Sequence, residues 1–186
     1  MPVLRLFVQG DRDAKGMSAC ATQIAALLKA AGVRVNLGAY GQLVKIFIDA
    51  GCEATCHGHR SSDRGQCPPD TSFVDCSAYA SRILSIEGSG ISVSWGLRLG
   101  LLLATSDASL FFDGRQGTML HAVPAIGFGV GQAEKGSPPK KVALVGWSED
   151  HVTGLKLLFF PDGNLPSWIR TFGLNEADQI VHFLTN

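Results

Sequence analysis

The chain has 186 residues, with 16 Lys or Arg against 16 Asp or Glu and a formal net charge of zero. That balance leaves no whole-chain field to gather nucleic acid or an anionic membrane, so any anion site has to be local. No apolar run approaches the roughly 20 residues that span a bilayer, and residues 1–8 are too short an apolar stretch for a signal peptide; the expectation is a soluble, cytoplasmic α/β domain over residues 1–186, with no nucleic-acid or membrane partner.

Residues 3–8 form a β-rich run ending at Gly10, and residues 17–31 follow with Cys20, Ile24, Leu27, Leu28 and Ala31 at helical spacing until Gly32 stops them. A strand is expected over 33–37, a turn at Gly38-Ala-Tyr-Gly41, and a helix over 43–50 that stops at Gly51. Strand, helix, strand, helix at this spacing predicts a parallel sheet with crossover helices.

The five cysteines, Cys20, Cys52, Cys56, Cys67 and Cys76, are odd in number and lack an export signal, which predicts reduced thiols. Cys52, Cys56, His57, His59 and Cys67 crowd into one segment, and that density raises a zinc site. The spacing points elsewhere: Cys67 stands alone where zinc sites pair close ligands twice, and Cys52 and Cys56 alternate with apolar residues as a strand would. Core packing is therefore the expected role, and neither a metal nor a cofactor is expected.

Residues 58–70, polar and rich in Gly, Ser and Pro, read as a surface loop, and residues 79–86 as a helix. Residues 91–95 alternate like a strand, 97–105 like a helix, and 108–112 form a buried strand. A helix over 118–126 is expected to be kinked or shortened by Pro124 and followed by a flexible stretch, 127–139. Then come a strand over 142–147, a helix over 151–160, a Pro-Asp-Gly-Asn turn, a short run over 168–172, and a helix over 176–184 capped by Asn175. The order predicts one Rossmann-like, doubly wound α/β fold with a mainly parallel sheet. Ligands of such folds collect at the carboxyl ends of the strands, and three glycine turns fall there, at Gly10-Asp11, Gly38 to Gly41 and Gly114 to Gly117.

Taken together, two segments resemble the LOG family, the lysine-decarboxylase-like proteins associated with cytokinin-activating phosphoribohydrolases, and its molybdenum-cofactor-carrier-like relatives. That family carries Pro-Gly-Gly-x-Gly-Thr-x-x-Glu after a strand beginning Ser/Ala-Asp-Ala. Here Ser106-Asp-Ala-Ser-Leu-Phe-Phe-Asp113-Gly114-Arg115-Gln116-Gly117-Thr118-Met-Leu-His121 follows the same frame without a gap. The family's Arg on the preceding helix falls on Arg98, Gly38-Ala-Tyr-Gly-Gln-Leu-Val resembles the earlier Gly-Gly-x-Gly-Gly-Val-Met turn, and Lys141-Val-Ala-Leu-Val-Gly146 resembles the later Lys-Pro-Val strand. The resemblance covers about residues 3–184. Four positions depart from it: Asp113 stands for the Pro, Arg115 for the second Gly, Ala39 for a Gly of the earlier turn, and His121 for the Glu that works with the Arg in N-glycosidic cleavage.

The resemblance implies a phosphate or phosphoribosyl ligand against Gly10, Gly38, Gly41, Arg98, Gly114, Arg115, Gly117 and Thr118. Gly117 and Thr118 would sit at a helix N-terminus, where free N–H groups and the dipole favour an anion, and Arg98 would offer a planar fork to its oxygens. Arg115 is either a second phosphate ligand or a residue filling the turn. With Arg98, His121 would be the catalytic pair of a nucleoside 5'-monophosphate phosphoribohydrolase, His121 as general acid toward the leaving base, because an imidazole lacks the charge to replace a carboxylate at an oxocarbenium ion. The bland reading of His121 is a partly buried ring with one satisfied hydrogen bond. Asp11, Arg12, Asp13 and Glu87 read as solvated charges as readily as ligands, and Trp95, Trp147 and Trp168 as packing. Two alternatives stand beside the enzyme: a non-catalytic carrier or sensor of a phosphorylated small molecule, and an interaction protein with a decayed site. The resemblance also implies a homodimer.

Overall fold

The computed structural model describes residues 3–10, 16–38, 41–58, 61–76, 78, 91–113 and 116–186. Short apolar runs that close at glycine turns become strands, because a strand covered on both faces needs no polar side: β5 (Ala108–Phe112) is buried at every position. With it run β1 (Arg5–Gln9), β2 (Arg34–Gly38), β3 (Ala54–Gly58), β4 (Ser72–Asp75), β6 (Lys141–Val145) and β7 (Ile169–Phe172). All pairings are parallel, and the order is β4-β3-β2-β1-β5-β6-β7.

Six helices are described: α1 (Ser18–Ala30), α2 (Gln42–Asp49), α3 (Ile91–Thr105), α4 (Gln116–Glu134), α5 (Glu149–Phe159) and α6 (Ala177–Thr185). Alternation along the strands separates two cores. Leu6, Val8, Leu37, Cys56, Leu110 and Phe112 pack with α1, α2 and α6, while Phe7, Phe111, Val142 and Leu144 pack with Leu102 of α3, Ile126 of α4 and Leu155 of α5. Helices on both faces of a parallel sheet make the doubly wound, Rossmann-like α/β fold that the sequence predicts.

Three expectations fail. Residues 91–95 are not a strand but the first turns of α3. The chain leaves β4 at the sheet edge and must re-enter beside β1 at its centre, a crossover made by a helix, and this tertiary demand overrides a five-residue alternation. The stretch expected to be flexible after residue 126 is helical to Glu134, and Pro124 is carried inside α4. Gly129 serves packing, since a Cβ on it would lie 2.6 Å from Trp168 Cζ3, while Gly127 would take a Cβ at an ordinary 3.4 Å from Phe159 and Gly131 faces open space. Asn175 does not cap α6; Glu176 holds the N-cap position without a side-chain bond to the helix, and its carboxylate accepts from the Gly173 N–H. Strand β4 and a 3-10 turn, Ser61–Gln66, were not expected from the pattern. The helix expected over 79–86 lies outside the described residues.

The C-terminus of α3 is fixed on both sides. Asn36 of β2, buried, donates from Nδ2 to Ser106 Oγ at 2.8 Å and to Thr105 Oγ1 at 3.2 Å. Lys140 Nζ donates to the carbonyls of Leu103 at 2.7 Å and Ser106 at 2.6 Å, satisfying the last turn of the helix; burial holds its pKa below the usual lysine value.

Candidate functional site

Strands β2, β1 and β5 are neighbours, so Gly38, Gly10 and the turn into α4 arrive together at one carboxyl edge at the centre of the sheet. The glycines there differ in purpose. Gly10 is buried, and a Cβ on it would lie 2.9 Å from both Leu43 Cδ2 and Phe112 Cβ, so its absent side chain lets α2 close on the sheet. Gly41 stands at the N-cap of α2 with φ of 105°, a conformation that side chains disfavour. Gly38 makes room for a cation: a Cβ built on it would lie 2.5 Å from Arg98 Nη2.

Arg98 is carried in by α3, which lies across β1 and β3, and is only 1% exposed. Its Nε donates to the carbonyl oxygen of His57 at 2.8 Å. The β2–β3 register pairs Gly38 with His57, so the imidazole rises beside the space left by Gly38, on the face opposite Cys56. Burial first, and the Arg98 charge second, lower the His57 pKa to about 4, so the ring is neutral near pH 7. Cys76 also lies within reach of the guanidinium field; burial pushes its thiol up to about 11 although Arg98 opposes this.

At the start of α4, Gly117 is exposed and open, with nothing within 4 Å of where a Cβ would stand, while Thr118 is buried. An α-helix leaves the N–H groups of its first turn without intrahelical partners, and α4 begins just beyond the carboxyl end of β5. His121 turns inward. It is 1% exposed, its Nδ1 lies 2.7 Å from the Gly117 carbonyl oxygen, and its ring meets Phe7 edge-on at 5.9 Å. That contact makes Nδ1 the protonated donor and ties the ring to its own helix.

Asp113, at the end of β5, meets His151 Nδ1 of α5 at 3.2 Å. Beside them Trp147 Nε1 donates to the Phe111 carbonyl at 2.9 Å, and its ring packs edge-on against His151 at 6.0 Å. Where the resembling family has a Pro, this chain thus links the β5 turn to the N-terminus of α5.

Of the residues singled out in the sequence, Gly38 and Arg98 meet directly, Gly117 and His121 meet within α4, and Gly10 and Gly41 flank them at neighbouring element ends. Gly114 and Arg115 lie outside the described residues, as do Ala39, Asp11, Arg12, Asp13, Glu87 and His59. Cys52, Cys56 and Cys67 are buried in the apolar core as thiols outside any disulfide; Cys52 Sγ contacts the Ala25 carbonyl at 3.3 Å, and burial raises the Cys56 thiol, which shares a hydrogen bond with Cys67. Among the described residues, no cluster of three or more His, Cys, Asp or Glu could hold a metal ion. In the sequence His57 stands out only as a member of the Cys52–Cys67 cluster. Its place beside Gly38 needed the β2–β3 register, which no local pattern states.

No protein-family model matches this sequence, and no curated protein matches it. Solved structures do match in shape. The molybdenum cofactor binding protein of the phototrophic bacterium Rippkaea orientalis superposes with a TM-score of 0.63 at 13% identity, covering 100% of this chain and 99% of that one. The molybdenum cofactor carrier protein of Chlamydomonas reinhardtii gives 0.58 at 13% identity, with 98% of each chain covered. DNA processing protein A of Helicobacter pylori, described for its single-stranded DNA binding mode, gives 0.59 at 12% identity over 97% of this chain and 80% of that one. The likeness is one of fold. It agrees with the Rossmann-like architecture expected from the resemblance, and at these identities it carries neither ligand nor activity across. Among the described residues no helix is long and apolar enough to cross a membrane.

Proposed function

We propose that this chain binds a phosphorylated small molecule of the nucleotide or phosphosugar class at the carboxyl edge formed by Gly38, Gly41, Arg98, Gly117 and Thr118. The observation that carries the reading is Arg98, a buried guanidinium brought against Gly38 at the edge where the N-terminus of α4 also ends. A planar fork beside free helix N–H groups suits phosphate oxygens. Gly114 and Arg115 belong to the same proposal by sequence frame. The molybdenum cofactor proteins that share the fold lend support to a carrier of this kind.

The inward His121 favours binding without turnover. A ring 1% exposed, tied through Nδ1 to the carbonyl of its own helix and meeting Phe7 edge-on, is withdrawn from any base that a ligand at the edge would release. Thermal shift against inorganic phosphate, nucleoside 5'-monophosphates, ribose 5-phosphate and molybdopterin-like phosphates tests the reading, since a ligand of the native state raises apparent stability. A shift with phosphorylated compounds and no release of free base by chromatography is expected. Base release from a monophosphate would establish the phosphoribohydrolase reading instead, and no shift with any compound would leave an interaction protein. A single-stranded oligonucleotide is the control raised by the DNA-binding neighbour; zero net charge argues against its binding. A homodimer belongs to the same proposal, supported by the exposed apolar side chains Leu120 and Phe128 on α4, and light scattering tests it.

A further inference from the structure

His57 is 4% exposed, and among the described residues neither of its ring nitrogens finds a hydrogen-bond partner. Buried polar atoms are nearly always satisfied, and leaving two unmade inside one ring costs stability that a nonpolar side chain of similar shape would not. The strand supplies a reason for the ring's position but not for its chemistry: residue 57 must face α3 because Cys56 faces the other core, yet an apolar residue would fill that place as Val74 fills the paired position on β4. The ring stands beside Gly38 in register, and the Arg98 guanidinium, whose Nε donates to the His57 carbonyl, lies against the same Gly38. A cation and an unbonded imidazole therefore share one corner of the carboxyl edge.

We propose that His57 is a ligand-contacting residue whose ring donates a hydrogen bond to the oxyanion received by Arg98. This rests on the phosphate-site reading above and deepens it. The imidazole is neutral near pH 7, because burial and the adjacent guanidinium both oppose a second proton, so it brings one N–H donor without adding charge beside Arg98. A neutral donor next to a guanidinium suits a tetrahedral oxyanion, whose several acceptor oxygens can take both bonds. The ligand class is thus a free or terminal phosphate group rather than a planar ring or an apolar chain.

Titration calorimetry at neutral pH with inorganic phosphate and with adenosine 5'-monophosphate compares the wild type with His57→Phe and His57→Gln. The Phe variant is expected to lose about tenfold in affinity for both probes, the worth of one hydrogen bond to a charged group, while melting at or above the wild-type temperature; Gln, which can donate, recovers part of the loss. Unchanged binding by the Phe variant overturns the assignment of His57 alone, as does a loss confined to the nucleotide, which would put the ring against the base or sugar. A lower melting temperature with unchanged binding makes the ring structural and overturns it too. A wild-type chain that binds neither probe overturns the phosphate site itself, and His57 with it. Should the Phe variant not fold, the ring 15N resonances of wild-type His57, assigned by their loss in the Gln variant, must move on adding phosphate; stationary resonances in a chain that binds phosphate overturn the proposal.

Discussion

Arg98 and His57 hold one corner of the sheet together: the arginine Nε donates to the histidine carbonyl oxygen at 2.8 Å, and burial, reinforced by the guanidinium charge, keeps the histidine ring uncharged. The pair joins α3 to the end of β3.

Arg98→Lys separates charge from geometry. Lysine keeps the cation but lacks the Nε that reaches the His57 carbonyl and offers a point charge in place of a fork. Affinity for adenosine 5'-monophosphate is expected to fall about tenfold, and the melting temperature by several degrees, in paired calorimetry and thermal-unfolding measurements. Affinity equal to the wild type's would take Arg98 out of the site.

Stability should depend on pH through His57. Its folded pKa of about 4 lies below its ordinary 6.5, so the unfolded chain binds the proton more readily. The contribution is complete above pH 6.5 and is lost as pH falls toward 4, about 3 kcal/mol in all. Urea unfolding of wild type and His57→Phe, near neutral pH and again near the folded pKa, should show the wild type losing more by roughly that amount; parallel losses would contradict a depressed pKa.

Two glycines at the edge predict opposite stability effects. Gly38→Ala puts a methyl 2.5 Å from Arg98 Nη2 and should displace the guanidinium, costing about 1–3 kcal/mol together with phosphate affinity. Gly117→Ala meets nothing within 4 Å and lies in the first turn of α4, so it should stabilise by about 0.5–1 kcal/mol. If a phosphate approaches that backbone, the Gly117 variant binds it more weakly despite being more stable, and calorimetry alongside urea unfolding reads both effects.

A second glycine pair tests the packing of α4. Gly129→Ala drives a methyl to 2.6 Å from the Trp168 ring and should destabilise by about 1–3 kcal/mol. Gly131→Ala has open space and should stabilise by up to about 1 kcal/mol through helix propensity. Equal effects in urea unfolding would mean that α4 does not seat Trp168 as described.

His121→Glu replaces the donor to the Gly117 carbonyl with a carboxylate buried against Phe7. The variant should melt several degrees lower, because a carboxylate there is repelled by the carbonyl and stripped of water. No base release from nucleoside monophosphates is expected; a gain of hydrolysis with unchanged binding would mark a lapsed enzyme.

The strands were legible because each is written in a handful of adjacent residues: 108–112 was read with the bounds that β5 has, and the glycine turns after β1 and β2 end those strands as expected. The errors fell where a short pattern met a distant constraint. Residues 91–95 alternate, yet the crossover from the sheet edge to its centre makes them helical. Pro124 and the stretch 127–139 expected to be flexible point to a short helix, yet α4 runs to Glu134 and Trp168, 39 residues beyond Gly129, occupies the room that this glycine leaves.

Local periodicity and turn chemistry in the sequence suffice for the alternation of strands and helices, the parallel sheet, and the placing of Gly38, Gly41 and Gly117 in turns after strands, whereas their convergence on one carboxyl edge rests on the β2-β1-β5 order. Long-range contacts bury Arg98 against Gly38, turn His121 inward to its own helix, and set His57 toward the arginine rather than toward Cys52, Cys56 and Cys67. Those outcomes depend on strand register and on the burial of charge, both of which are set by residues far apart in the chain.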